Sequence, residues 1–262
     1  LLYAIDLYAD FTGGIDITIG VAQMFGITLP ENFRRPFFSK SIAEYWRRWH
    51  ITLCAWFKDY LFYPLSMSKW MNKVSRWLKK HVGKLVGSRF PVYFSSLTVW
   101  FVTGIWHGAS WNFITWGVMY GILIIIEKLV LTLLKLKNKE YILDKIPGFI
   151  KHIYAMLFVM LGWVLFDTKD LPTAFSYMKR MFSFGSTFAD EHTVYFLMNF
   201  GLLFVIAIIG CTSLVKNLAQ KFTAKVPSCS HVLSVVYMIV IMLIATSYLV
   251  DASYNPFLYF NF

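Results

Sequence analysis

The chain has 262 residues, of which 58% are hydrophobic, 19% aromatic and only 15% charged. Soluble globular domains carry about 25% charged residues, so this composition excludes a soluble domain and predicts an integral membrane protein covered by lipid. The net charge of +11 does not indicate nucleic-acid binding, because the basic residues lie in short stretches between apolar runs, as in cytoplasmic loops of membrane proteins.

A helix that crosses a membrane needs about 20 mostly apolar residues, and five regions qualify or nearly qualify. The first, 1–29, contains Asp6, Asp10, Asp16 and a Gly13-Gly14 pair that we expect to break the helix. Region 91–134 is long enough for two spans and is interrupted near His107, and it fits two passages or one re-entrant excursion. The other three spans are 152–166, 193–215 and 232–250.

Two further features concern the organisation of the chain. Region 41–66 is rich in Trp and Arg, and it predicts a helix that lies at the membrane interface or is partly buried. The chain begins inside an apolar stretch, without Met and without a signal-peptide pattern, so we expect earlier spans to be missing. The predicted fold class is all-α, with 1–262 forming one helical membrane domain.

The charges of the loops predict an orientation in the membrane. Residues 69–89 hold seven basic residues and no acid, 135–151 have a net charge of +3, and 216–231 hold three Lys and no acid. Residues 167–192 have a net charge of −1. Counting 91–134 as two spans places the three basic loops in the cytoplasm and 167–192 outside, which obeys the positive-inside rule throughout.

The three cysteines do not indicate a disulfide framework or a metal site. Cys54, Cys211 and Cys229 form no CxxC pair and no spacing typical of zinc ligands. Cys54 lies four residues after His50, and packing beside the histidine is favoured over a nucleophile pair. The sequence therefore predicts neither a metal nor a bound cofactor.

The first candidate site is the stretch Gly104-Ile105-Trp106-His107-Gly108, inside the longest apolar run. An ionisable ring at membrane depth is costly to bury and is a functional-site candidate by default. A neutral histidine there can act as general base toward a hydroxyl that attacks an acyl carbon. The alternative is a core histidine bonded to a backbone carbonyl, with the glycines serving helix packing.

A second constellation, Glu44-Tyr45-Trp46-Arg47-Arg48-Trp49-His50, aligns Trp46 with His50 and Glu44 with Arg47 and Arg48 on a continuous helix. The residues alone favour an interfacial helix over the floor of a polar tunnel.

In a third constellation, Asp10 and Asp16 flank the Gly13-Gly14 pair. For these carboxylates we favour ion pairs with Arg47 or Arg48 over a catalytic role. Glu44 is the other candidate partner for an arginine.

Six motifs occur in this order along the chain, and they extend over nearly all of it. They are Asp10-Phe11-x-Gly13-x-x-Asp16, Pro30-Glu31-Asn32-Phe33 with Pro36-Phe37, Tyr45-Trp46-Arg47-Arg48-Trp49-His50, Trp56-Phe57-x-Asp59-Tyr60, Gly104-x-Trp106-His107-Gly108 and Asn255-Pro256-Phe257-x-Tyr259-Phe260-x-Phe262. The combination resembles the membrane-bound O-acyltransferase family. It is closer to the bacterial alginate O-acetylation branch than to the related teichoic acid D-alanyl branch, although Gly14 stands where the family often has Tyr.

The resemblance implies a helical bundle around a central tunnel and a multi-pass location in a bacterial plasma membrane. It implies that His107 is catalytic, as base or transient acyl carrier, and that His50 is a second functional histidine. The residues expected to bind substrate or line the tunnel are Trp106, Gly108, Trp49, Arg47, Arg48, Asp10 and Asp16. The implied donor is acetyl-CoA or a carrier-protein thioester in the cytoplasm. The implied partners are membrane lipid, an envelope polysaccharide and an extracytoplasmic acetyltransferase or esterase-like protein.

We therefore expect an O-acetyltransferase subunit that modifies a cell-envelope polysaccharide. Transfer of D-alanine or another acyl group to teichoic acid is the alternative within the same family. Two other classes compete with an enzyme. A transporter or flippase would require paired, Gly- or Pro-broken short spans in two halves, and the sequence shows no such pairing. In a non-catalytic scaffold, His107 would be replaceable without loss of activity.

Overall fold

The computed structural model describes residues 2–183, 190–225 and 227–251. Throughout this part of the chain the regular structure is helical, as the sequence predicts, and no strand occurs in it. The chain divides into two compact units, one of residues 1–27 with 187–262 and the other of 28–186. The single membrane domain stays a prediction, and the motif at 255–262 lies outside the described residues.

The unit of residues 28–186 carries nine of the helices, and the other unit carries four. In chain order the helices are α1 (Leu2–Met24), α2 (Ile42–Arg48), α3 (Ile51–Phe57), α4 (Tyr63–Ser66), α5 (Lys69–His81), α6 (Lys84–His107), α7 (Trp111–Leu136), α8 (Tyr141–Lys145), α9 (Gly148–Asp167), α10 (Leu171–Met181), α11 (Glu191–Gly210), α12 (Leu214–Lys225) and α13 (Pro227–Asp251). A 3₁₀ turn at Pro36–Phe38 precedes α2, and a π turn at Lys58–Phe62 joins α3 to α4.

Three helices in the described part are long and apolar enough to cross a membrane, namely α7, α9 and α11. A shorter apolar stretch, Val232–Ser247, lies in α13. Helices α1 and α6, which cover two predicted spans, are as long but more polar. The reason is that α1 contains three aspartates and α6 begins with a basic turn. None of the residues of α11 is buried, which fits a helix covered by lipid.

Two local predictions are wrong. Helix α1 runs through Gly13 and Gly14 without a break, because glycine costs a helix only about 1 kcal/mol and a long helix tolerates this. Region 41–66 is not one helix: α2 ends at Arg48 and α3 begins at Ile51. The continuous helix that would place Trp46 and His50 on one face therefore does not exist.

The predicted interruption of 91–134 near His107 is confirmed, since α6 ends at His107 and α7 begins at Trp111; the membrane path of the two helices stays a prediction. The two helices pack closely through glycines. A Cβ on Gly104 would lie 2.5 Å from the carbonyl oxygen of Phe113, and one on Gly117 would overlap the carbonyl oxygen of Trp100. Small residues that allow backbones to approach are typical of helix contacts in membranes. The hairpin places the end of α6 against the start of α7.

The loop charges generate a test of orientation. Single cysteines at Asn72 in α5 and Ser176 in α10 leave every charge in place, and both positions are exposed. In full-length protein without native cysteines, an impermeant maleimide added to intact cells should label Ser176→Cys and spare Asn72→Cys. Both should react once the membrane is permeabilised. Labelling of Asn72→Cys alone in intact cells would contradict the orientation.

Candidate functional site

The break between α2 and α3 centres on His50. Its backbone is left-handed, with φ 47° and ψ 52°, a conformation that costs a non-glycine residue roughly 1–3 kcal/mol. Two backbone hydrogen bonds from the preceding segment support the break. The Arg34 N–H donates to the Arg48 carbonyl (2.9 Å), and the Ile51 N–H donates to the Asn32 carbonyl (3.0 Å). Contacts distant in sequence therefore hold His50 where it is.

The side chain of Asn32, only 3% exposed, determines the hydrogen bonding of His50. Its Oδ1 accepts from the Thr52 N–H (3.0 Å) and hydroxyl (2.9 Å). His50 Nδ1 lies 3.2 Å from the amide Nδ2 and 3.3 Å from Oδ1, and because Oδ1 already accepts twice, we assign Nδ2 as the donor to Nδ1. Burial lowers the pKa of His50 to about 4, so the ring is neutral at pH 7. With Nδ1 accepting, we assign the ring proton to Nε2. His50 is then a hydrogen-bond donor at Nε2.

His107 is the last residue of α6, and aromatic rings surround it. The ring centroids of Trp106, Trp116 and Phe166 lie 4.8, 5.0 and 5.0 Å from that of His107, all in edge-to-face arrangements. The ring of Phe113 is 6.3 Å away. Within the described part of the chain, the half-buried imidazole of His107 has no hydrogen-bond partner. Packing therefore fixes the ring and leaves its nitrogens unengaged by these residues.

The structure brings the two predicted catalytic histidines together around Trp106. The ring of Trp106 lies 4.8 Å from that of His107 and 6.5 Å from that of His50. The imidazoles come from segments more than 50 residues apart, so their proximity results from the fold of the unit.

Two buried indole N–H groups near His107 lack an acceptor among the described residues. They belong to Trp116, 1% exposed, and Trp46, 8% exposed, whose ring centroids are 5.5 Å apart. Leaving a buried donor unpaired costs about 1–3 kcal/mol. The ring of Trp116 lies 5.0 Å from that of His107, so a buried donor without an acceptor among the described residues lies beside the imidazole.

Three other predicted residues have clear packing environments. Trp49, 4% exposed, stacks on Tyr45 at 5.8 Å and lies 5.2 Å from Trp163, so it belongs to the core of the unit. Trp106 is 49% exposed. A Cβ on Gly108 would lie 2.7 Å from the ring of Phe113, so the glycine lets that ring approach His107.

One of the ion pairs predicted for the arginines and aspartates is present in the structure. Arg48 pairs with Glu44 at 2.5 Å, one of the predicted arrangements, with side chains 33% and 24% exposed. Because the pair is only half-buried, its contribution falls nearer to about 1 kcal/mol than to the cost of breaking a fully buried pair. Arg47 is exposed. Asp10 and Asp16 lie on α1 in the other unit, and their pairing with an arginine stays a prediction.

Glu127 is a residue that the sequence analysis missed. From α7 its carboxylate accepts the backbone N–H groups of Ile42 (2.7 Å) and Ala43 (3.0 Å), the first two residues of α2. His152 of α9 donates to the Ser39 carbonyl just before α2 at 3.0 Å. A lone glutamate in the apolar run of α7 was the available signal. Glu127 anchors the short helix that leads to His50.

Comparisons with known proteins agree with these observations. The model of the membrane-bound O-acyltransferase family matches residues 1–165. A probable alginate O-acetylase of Azotobacter vinelandii is 35% identical over 188 residues, 71% of this chain and 32% of that protein. A peptidoglycan O-acetyltransferase of Helicobacter pylori is 33% identical over 181 residues, with coverages of 69% and 30%. A teichoic acid D-alanyltransferase of Bacillus subtilis is 35% identical over 121 residues, with coverages of 46% and 28%. The chain spans about a third of the length of these curated relatives.

The anchoring of α2 can be tested with Glu127→Gln. The amide keeps one acceptor but turns a donor toward one of the two N–H groups, so we expect the free energy of unfolding to fall by about 2–3 kcal/mol. Glu140→Gln is the matched control, because Glu140 is exposed and its contact with Lys135 is 3.7 Å long. Denaturant unfolding of the full-length protein in detergent would measure both. Equal stability of the two variants would contradict the anchoring role.

Proposed function

The chain belongs to the membrane-bound O-acyltransferase family, and we propose that it is part of a multi-pass bacterial O-acetyltransferase of the plasma membrane. In this proposal the full-length protein takes an acetyl group from a cytoplasmic thioester, acetyl-CoA or an acylated carrier protein. It passes the group toward a hydroxyl of a cell-envelope polysaccharide, with an extracytoplasmic acetyltransferase or esterase-like protein as partner. His107 is the residue on which the chemistry depends.

The environment of His107 is the single observation that carries the proposal. Two other histidines of this unit bind backbone carbonyls, His152 that of Ser39 (3.0 Å) and His81 that of Trp77 (2.9 Å). His107 has no such bond to any described residue, although its ring is half-buried and held by aromatic neighbours. A structural histidine would be expected to satisfy its nitrogens in the way His152 does. Unengaged nitrogens support a role toward substrate.

The proposed chemical step is a direct acyl transfer. The acceptor hydroxyl oxygen attacks the thioester carbon while its proton moves to a ring nitrogen of neutral His107. Collapse of the tetrahedral intermediate breaks the carbon–sulfur bond, and the thiolate leaves with the proton that His107 returns. The Nε2–H of His50 is the donor we propose for the developing negative charge on the acyl oxygen.

Acetyl is proposed over D-alanyl because of the relatives. The two cited proteins named for O-acetylation match 71% and 69% of this chain, whereas the D-alanyltransferase of Bacillus subtilis matches 46%. Transfer of D-alanine is the second candidate, because a teichoic acid D-alanyltransferase is also among the similar proteins. Ester-linked D-alanine instead of acetate on the polymer would favour that candidate.

We predict that His107→Ala in the full-length protein lowers envelope O-acetylation by roughly 10²–10⁴-fold, the usual effect of removing a general base. The measurement is ester-linked acetate on isolated polymer from cells whose only acetyltransferase is the variant. Membrane abundance should stay near that of the wild type. The control is His192→Ala, which removes an exposed histidine at the start of α11. Wild-type acetate levels in His107→Ala would contradict the assignment.

A further inference from the structure

A groove between α5 and α6 concentrates positive charge on one side of the unit. It has a volume of about 450 Å³ and is lined by Arg76, Lys79, Lys80, Lys84 and Ser88. No carboxylate lines it, and residues 69–89 contain no acid at all. The salt bridges found in the described part of the chain do not involve these four cations. The groove is therefore a site of uncompensated charge.

The two helices that line the groove are in tight contact beside it. The Ser75 hydroxyl of α5 donates to the Gly87 carbonyl of α6 at 2.6 Å, in a buried position. A Cβ on Gly87 would lie 2.5 Å from both the backbone nitrogen and the Cγ of Lys79. The two helix backbones are thus in direct contact beside the groove. The backbones that carry the four exposed cations are therefore fixed relative to each other.

The positive-inside rule accounts for the number of basic residues here but not for their arrangement. Lys79 and Lys80 lie in the last turn of α5, where a cation is favourable beside the negative end of the helix dipole. Lys84, however, is the first residue of α6, at the positive end of a 24-residue helix whose N-cap Gly83 offers no side-chain acceptor. A bound anion would compensate both the lysine and the helix terminus.

We propose that this groove binds a phosphoryl group, carried either by an anionic phospholipid headgroup or by the coenzyme A part of a thioester donor. Lysine and arginine form strong charge-assisted hydrogen bonds with phosphate oxygens, and four of them match a ligand with two or more negative charges. The orientation predicted from the loops places the groove on the cytoplasmic face. The lipid source stands by itself, whereas the coenzyme A source rests on the proposed function.

The test uses the full-length protein in phosphatidylcholine nanodiscs. Calorimetry measures the affinity for coenzyme A, and thermal unfolding measures the stabilisation caused by adding phosphatidylglycerol to the discs. The groove variant is Lys80→Gln with Lys84→Gln. The control, Lys69→Gln with Lys73→Gln, removes the same charge from exposed positions of α5 outside the groove. We expect the groove variant to weaken binding about tenfold or more and the control less than about threefold. Rising salt should weaken wild-type binding.

The outcomes separate the two sources and can overturn the proposal. If the groove variant loses coenzyme A binding, the ligand of the groove is the thioester donor. If it loses the stabilisation by phosphatidylglycerol, the ligand is the lipid headgroup. Binding of neither probe, or equal losses in the groove and control variants, would overturn the site. His107→Ala should keep groove binding. A wild-type protein that binds a probe in the groove but transfers no acyl group would count against the proposed function and not against the groove.

Discussion

The close approach of α6 and α7 is the constraint on which the candidate site depends. Gly104 and Gly117 face backbone atoms of the neighbouring helix with no room for a Cβ, so the two backbones lie in contact. Because α6 stops at His107 and α7 starts at Trp111, this contact places the ring of Trp116 against His107. A larger residue at either glycine would separate the helices and with them the aromatic rings that orient the imidazole.

The two histidines are held in different ways, and this difference assigns them different chemistry. Asn32 engages His50 through Nδ1, and we assign the tautomer with its proton on Nε2, which makes the ring a donor there. Apolar ring contacts hold His107, and no described residue occupies its nitrogens, so the ring can take up and return a proton. Glu127 connects the surroundings of the two histidines. It anchors α2, which leads to His50, and it lies on α7, the helix that carries Trp116 beside His107.

Sequence analysis predicted the features that depend on local composition, and it missed those that depend on long-range hydrogen bonds. The helical class, the reversal near His107 and the Arg48–Glu44 pair follow from hydropathy and i,i+4 spacing. The break at His50 does not, because helical spacing assumes a continuous helix and the break is held by Asn32, 18 residues away. The role of Glu127 depends on N–H groups 84 and 85 residues distant, which leave no local pattern.

The central claim is that His107 and His50 act together on one acyl group. Their coupling can be measured directly with His50→Ala, His107→Ala and the double variant in the full-length protein, using the rate of acetate transfer to the polymer. A donor to the acyl oxygen stabilises the transition state whether or not the base is present, so its removal still lowers the rate of a variant that lacks the base. The account predicts that His50→Ala transfers acetate more slowly than the wild type and that the double variant is slower than His107→Ala alone. A His50→Ala variant at the wild-type rate, or a double variant as fast as His107→Ala, would contradict the account.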